Sequence, residues 1–248
     1  MKWLSGRMPA RALACALAAA ALTSCAADRS TVSPEGRLPV LGPGPAFAIS
    51  HGNDGWIIEG DRAAVDRRVR VATFAGVPAL RVASGQESFI MVRATDAHLL
   101  ATPYLSWAWN MEDPGDRVHP VGLVVGFAGG IREPPSWASQ QWSRIGTALP
   151  RHDRMLLLTW GRTALERGSL LAPQDAVRGA PSYRPRGGSE NALNWWLETA
   201  DLASLYAQSW PDDQIDTVRV SFIGVAAASD HPAGRPVAGH ISGILLSR

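Results

Sequence analysis

Nine of the ten tryptophans lie beyond residue 24, and they are the side chains here best suited to recognising a ligand. Trp and Tyr faces stack on the C–H faces of sugars, and a neighbouring arginine adds a cation that can lie over the ring. Trp137, Trp142 and Tyr183 fall in long stretches that read as loops, among Arg132, Arg144, Arg184 and Arg186. That grouping is an aromatic–arginine surface suited to a sugar or an acidic glycan. Trp107, Trp109 and Trp160 sit inside apolar strand patterns and read as core.

The carboxylates and histidines give no reaction centre. "NMEDPGD" supplies Glu112, Asp113 and Asp116, and Glu198 and Asp201 follow Trp196. A glycosidase needs two carboxylates about 5–9 Å apart across a cleft, and the sequence alone places no pair so. "EDPGD" reads as a turn, where Asp and Gly are chemically favoured. The same oxygen-rich turn suits calcium, but no EF-hand spacing is present. His51, His98, His119, His152, His231 and His240 show neither i, i+4 helical spacing nor a His-Glu-x-x-His pattern. Ser229, Asp230 and His231 are consecutive, and strand neighbours point to opposite faces, so adjacency does not make a triad. No G-x-S-x-G elbow occurs. No catalytic residue, metal ligand or cofactor is assigned.

Composition prunes further. Lys2 is the only lysine, which removes Schiff-base chemistry and a P-loop lysine from the chain beyond it. Cys15 and Cys25 are the only cysteines. Lys2, Arg7 and Arg11 precede an uncharged stretch, Ala12 to Leu22, which as helix spans about 16 Å, too short for a bilayer core of about 30 Å. That is the form of a secretory signal. "LTSC" (Leu22 to Cys25) then resembles the lipobox of bacterial lipoproteins. The resemblance implies cleavage before Cys25 and acylation of its sulfur, anchoring the chain to a membrane; two or three acyl chains make release very slow. Ala26, in place of an aspartate, implies the periplasmic face of the outer membrane. Removing residues 1–24 leaves 21 basic against 22 acidic side chains, a formal charge of −1, which argues against nucleic acid as a partner. With Cys25 acylated, the remaining chain has no thiol for a disulfide or a zinc site.

Residues 25–46 carry Pro34, Pro39, Pro43 and Pro45 with Gly36, Gly42 and Gly44 and read as a lipidated tether; residues 47–248 read as one domain. Strand signals fill that domain. "RVRVATF" alternates, "ALRVAS" returns from a turn, and "SFIMVRA" is a denser run. "PYLSWAWNM" puts Leu105, Trp107, Trp109 and Met111 on one face. "VGLVVGF", "MLLLTWG", "ALNWWLET", "DTVRVSFIGVA" and "VAGHISGILLS" complete nine or so strands. Only "DLASLYAQSW" has helical spacing, and a short helix near Trp137 to Ile145 is a further possibility. Two connections, 128–153 and 161–190, are long enough to suggest function. The pattern predicts an all-β sandwich with one short helix near 201–210.

The order of "PYLSWAW", "VHPVGLVVGF", "LLLTWG", "NWWLETADLASLYAQSW" and "VSFIGVAAASDHPAGRPVAGHISGILL" resembles a bacterial family catalogued as domain of unknown function 3047. The resemblance runs from about Trp56 onward. It implies a jelly-roll or galactose-binding-like sandwich, secreted and often lipidated, with no known activity. The family's acidic stretch before its last strand survives here as Asp230, and its closing "YGDI" is "GHISGI", with His240 the nearest polar substitute. Asp230 and His240 therefore join Trp137, Trp142 and Tyr183 as ligand-binding candidates. The expected function is a non-catalytic, lipid-anchored sandwich that binds a saccharide. The alternatives are a polysaccharide hydrolase acting through Glu112, Asp116, Glu198 or Asp230, and an envelope scaffold that binds another protein.

Overall fold

A computed structural model describes residues 32–41, 55–131, 148–173, 180–229 and 235–248. Thirteen strands run through them in chain order: β1 (Arg37–Leu41), β2 (Trp56–Gly60), β3 (Val69–Phe74), β4 (Val77–Ala83), β5 (Phe89–His98), β6 (Tyr104–Met111), β7 (Val121–Ala128), β8 (Arg154–Gly161), β9 (Ser169–Leu171), β10 (Ser182–Gly187), β11 (Trp196–Asp201), β12 (Arg219–Ala227) and β13 (Ala238–Ser247). Helix α1 (Arg62–Arg68) precedes β3, and α2 (Leu202–Ser209) follows β11. Each helix is opened by an aspartate side chain that accepts a backbone N–H, Asp61 from Ala64 and Asp201 from Ser204.

The strands form two sheets packed as a sandwich. One is six-stranded, in the order β11-β6-β13-β4-β3 with β1 also on β13; the other is seven-stranded, β2-β5-β12-β7-β8-β10-β9. The expected all-β sandwich is the observed one. Alternation explains why the sheets meet. Leu105, Trp107, Trp109 and Met111 of β6 are fully buried against Leu123, Val125 and Phe127 of β7 and Leu156, Leu158 and Trp160 of β8 within one core. The Trp109 ring meets Trp107 at 5.4 Å and Trp160 of the opposite sheet at 5.6 Å, both edge-on.

Two expectations need correction. Residues 37–41 are not tether: β1 pairs antiparallel with β13, and Leu38, Val40 and Leu41 are core. Proline content suggested an unstructured leash, but Pro39 alternates with buried neighbours and pairs with Leu245. β4 and β1 occupy successive stretches along one flank of β13, divided where Gly243 takes φ +62°. Secondly, residues 161–190 are not one loop. β9 and β10 lie inside them, and β10 runs parallel to β8.

β10 also closes one edge of the sandwich. Arg186 on β10 donates through Nε to Glu198 Oε1 on β11 of the other sheet at 2.5 Å, with both residues buried. Its guanidinium lies 3.6 Å from the Trp196 ring centroid. A second knot fixes α2. Asp213 accepts two bonds from Arg154, at 2.9 and 3.0 Å, and one from the Tyr206 hydroxyl at 2.7 Å. Burial opposes its charge, but these bonds hold the Asp213 carboxyl below its ordinary range.

Removing one partner of a buried ion pair leaves an uncompensated charge, so Glu198→Ala should lower unfolding free energy by about 3–5 kcal/mol in a urea titration. Replacing both partners, Arg186→Met with Glu198→Leu, should recover most of that loss.

Candidate functional site

The seven-stranded sheet turns an unusual face to the outside. Its rungs follow from register. Glu59, Ile90, Ala226, Gly122 and Thr159 form one rung across five strands; Ile57, Val92, Gly224, Val124 and Leu157 form the next. Side chains alternate faces along a strand, so these point away from the core. Yet Val92, Val124 and Phe222 on this outer face are fully buried. Their cover includes a strap of residues 148–153. Leu149 packs on this cluster, the His152 ring stands edge-on to Phe222 at 5.0 Å, and Ala148 N–H reaches Glu59 Oε2 at 3.3 Å. Asp153 pins the strap's end, its N–H on the Phe127 carbonyl and its carboxylate accepting from Gly129 N–H.

Beside the strap lies a groove of about 450 Å³, floored by Gly122, Ala226 and Leu157 and edged by Thr159, Arg117 and Ser229. The rung explains the hollow: its two middle positions are a glycine and an alanine, between Ile90 and Thr159. Gly122 cannot be enlarged, because a Cβ there would stand 2.5 Å from the Leu158 carbonyl oxygen. The edge is preorganised. Thr159 and Ser182 hydroxyls bond to each other at 2.9 Å, Arg117 Nε donates to the Pro114 carbonyl, and Ser229 is bridged to Gly85. His119 also lines the groove but is buried, its Nδ1 accepting from Val121 N–H at 3.0 Å. A separate hollow of about 500 Å³ lies where β1 begins, among Val32, Leu100 and Pro103, with Ser33, Thr102 and Arg248 as its polar lining.

The residues singled out from sequence scatter relative to this groove. Cys25, Trp137, Trp142 and Asp230 lie outside the described residues. Tyr183 is not a loop residue. It belongs to β10, opposite Leu158, and packs against the core. Burial, then the Glu198 charge, raises its phenol above the ordinary range. Arg184 and Arg186 are buried with it, Arg184 3.6 Å from Glu166 and Arg186 on Glu198, so they do not form the expected exposed arginine surface.

His240 lies on the other sheet. It is 4% exposed on the outward face of β13, beneath the Phe74 ring, which stacks on it at 4.2 Å and 13°. Phe74 ends β3, and its carbonyl accepts the Trp195 indole N–H at 3.1 Å. The sequence showed neither contact, since both cross strands distant in the chain. Burial holds the His240 imidazole below its ordinary pKa; Arg81 and Arg70 push the same way and Glu112 opposes them.

Two of the carboxylates named for a hydrolase, Glu112 and Glu198, lie far apart. Glu198 faces Trp107 across the β11–β6 pairing, and Glu112 lies five residues further along, about 17 Å at the usual strand rise. Glu112 is engaged by Ala238 N–H, Glu198 by Arg186. Asp113 accepts from Gly115 N–H, the turn expected of "EDPGD". Among the described residues no three acidic, histidine or cysteine side chains gather as a metal site.

No family model and no curated protein matches the chain. Among solved structures, it is similar to the family 11 carbohydrate-binding module from Clostridium thermocellum in complex with a β-1,3-1,4-mixed-linked tetrasaccharide, at 8% identity over 87% of this chain and 97% of that one, TM-score 0.34. The family 11 module of the cellulosomal cellulase Lic26A-Cel5E of the same organism gives 6% identity over 84% and 95%, TM-score 0.32. The xyloglucanase domain of NopAA from Sinorhizobium fredii, in complex with cellobiose, gives 11% over 88% and 100%, TM-score 0.35. Likenesses at these scores carry no argument about ligand or activity.

His240 gives a pH signature. Its folded pKa is lowered, so between that value and the unfolded value of about 6.5 the unfolded chain binds the proton first. Its contribution to stability is complete above about pH 6.5 and is lost as pH falls from there towards the folded value. Unfolding free energy measured from pH 8 to 5 should therefore fall less in His240→Phe than in the wild type.

Proposed function

We propose that this chain is a lipid-anchored, non-catalytic saccharide-binding β-sandwich, and that the saccharide lies in the groove on the outer face of the seven-stranded sheet. The groove carries the reading. An apolar floor accepts C–H faces, and the Thr159 and Ser229 hydroxyls with the Arg117 guanidinium edge it with groups that bond to sugar hydroxyls. Trp137 and Trp142, which lie outside the described residues, are assigned to the same ligand as the aromatic candidates of the sequence. The anchor rests on "LTSC" and the short uncharged stretch before it, with the periplasmic face of the outer membrane as its place. Because β1, the turn at 33–36 and Val32 belong to the sandwich, the tether shrinks to residues 26–31, at most about 20 Å.

A glycan array followed by calorimetry should find a saccharide whose affinity falls at least about tenfold, 1.4 kcal/mol, in Ala226→Leu, which fills the groove, and in the Trp137→Ala/Trp142→Ala pair. Absence of any saccharide binding, or full affinity in both variants, sinks the reading. For the anchor, intact-mass measurement of protein made in a bacterium that processes lipoproteins should show a chain starting at acylated Cys25. Cys25→Ala should move the protein out of the membrane fraction.

A further inference from the structure

The outer face of the six-stranded sheet carries a second constellation. Register places Arg70 of β3 opposite Arg81 of β4, Arg81 opposite His240 of β13, and His240 opposite Asn110 of β6. These four side chains form one rung across four strands on the outward face. Like charges set directly opposite one another repel, so an Arg–Arg pair calls for compensation. Little is present. The Arg70 side chain has no hydrogen bond or ion pair among the described residues, and Arg81 meets Glu112 at 4.0 Å. Glu112 is shared, its other oxygen accepting from Ala238 N–H at 2.9 Å.

The other half of the rung is short of partners in the opposite sense. Asn110 is 1% exposed, and neither its amide oxygen nor its amide nitrogen has a hydrogen-bond partner; His240 Nδ1 has none either. Native proteins rarely leave buried polar groups bare, and each such group asks for an explanation. Over them lies the tip of the β3–β4 hairpin, where Phe74 covers His240 and the turn residues Ala75 and Gly76 are exposed at φ 48° and 79°.

We propose that Arg70, Arg81, His240 and Asn110 form a binding site for a carboxylate, separate from the groove on the opposite sheet. A carboxylate only accepts hydrogen bonds, and this rung is rich in donors: two guanidinium forks, an amide NH₂ and an imidazole N–H. Arginine forks match a carboxylate bidentately, and its charge relieves the Arg70–Arg81 repulsion. Glu112 is the competing anion. The ligand displaces its 4.0 Å contact while its bond to Ala238 stays.

The test is a titration of the full chain in detergent with sodium acetate, glucuronate and glucose, followed by the His240 imidazole C–H resonances and by calorimetry. Glucuronate is expected to shift those resonances and raise the His240 pKa, and glucose to do neither. Arg70→Gln, on an exposed strand edge, and Arg81→Gln should each weaken glucuronate binding at least tenfold, whereas Ala226→Leu in the opposite groove should leave it unchanged. Glucuronate binding tenfold tighter than acetate assigns the site to an acidic sugar; equal affinities make the carboxylate the whole ligand. The proposal is overturned if neither anion moves the His240 resonances, or if both arginine variants bind as the wild type does.

Discussion

The sandwich depends on three tryptophans meeting where its two sheets face each other. Trp107 and Trp109 come from the six-stranded sheet and Trp160 from the seven-stranded one, fully buried and edge-on to one another. Each aromatic removes a large apolar area from water, and the edge-on arrangement adds a quadrupole term. Both cysteines lie outside the described residues, so every inter-sheet tie described is non-covalent. The Arg186–Glu198 pair, roofed by Trp196, then fixes one edge of the stack.

With the inner faces committed to packing, the outer faces are free to differ, and they do. The seven-stranded sheet presents small and apolar side chains, some under a strap and others lining an open groove. The six-stranded sheet presents a polar rung partly covered by its own hairpin. The two surfaces have opposite chemistry on opposite sides of one core, so changes in one need not disturb the other.

Much of the fold could be read from the residues. Period-two alternation in "LSWAWNM" identified a strand and its buried face, and the three-and-four spacing after Asp201 identified α2. The misses have physical causes. β1 was hidden because Pro39 and its neighbouring prolines and glycines weighed more than the alternation of Leu38 and Val40. β10 was hidden because "SYRPRG" looks solvated; its arginines are buried only because Glu166 and Glu198 arrive from elsewhere in the chain. Helix α1 had a readable signal in Asp61 ahead of "RAAVDRR". The groove had almost none: Gly122 and Ala226 are unremarkable until pairing through β7 and β12 sets them side by side. His240 was picked out by resemblance, but Phe74, Asn110 and Trp195 around it are set by strand register, which depends on tertiary pairing.

The β1–β13 pairing has a geometric corollary. Arg248 donates its backbone N–H to the Gly36 carbonyl and a guanidinium N–H to Pro34, so the last residue sits beside the point where the chain enters the sandwich. Entry and exit share one pole of the body. Anything joined after Arg248 would emerge at the same pole as Pro34 and Gly36. A cargo or reporter meant to stand clear of that pole belongs in a turn at the opposite one.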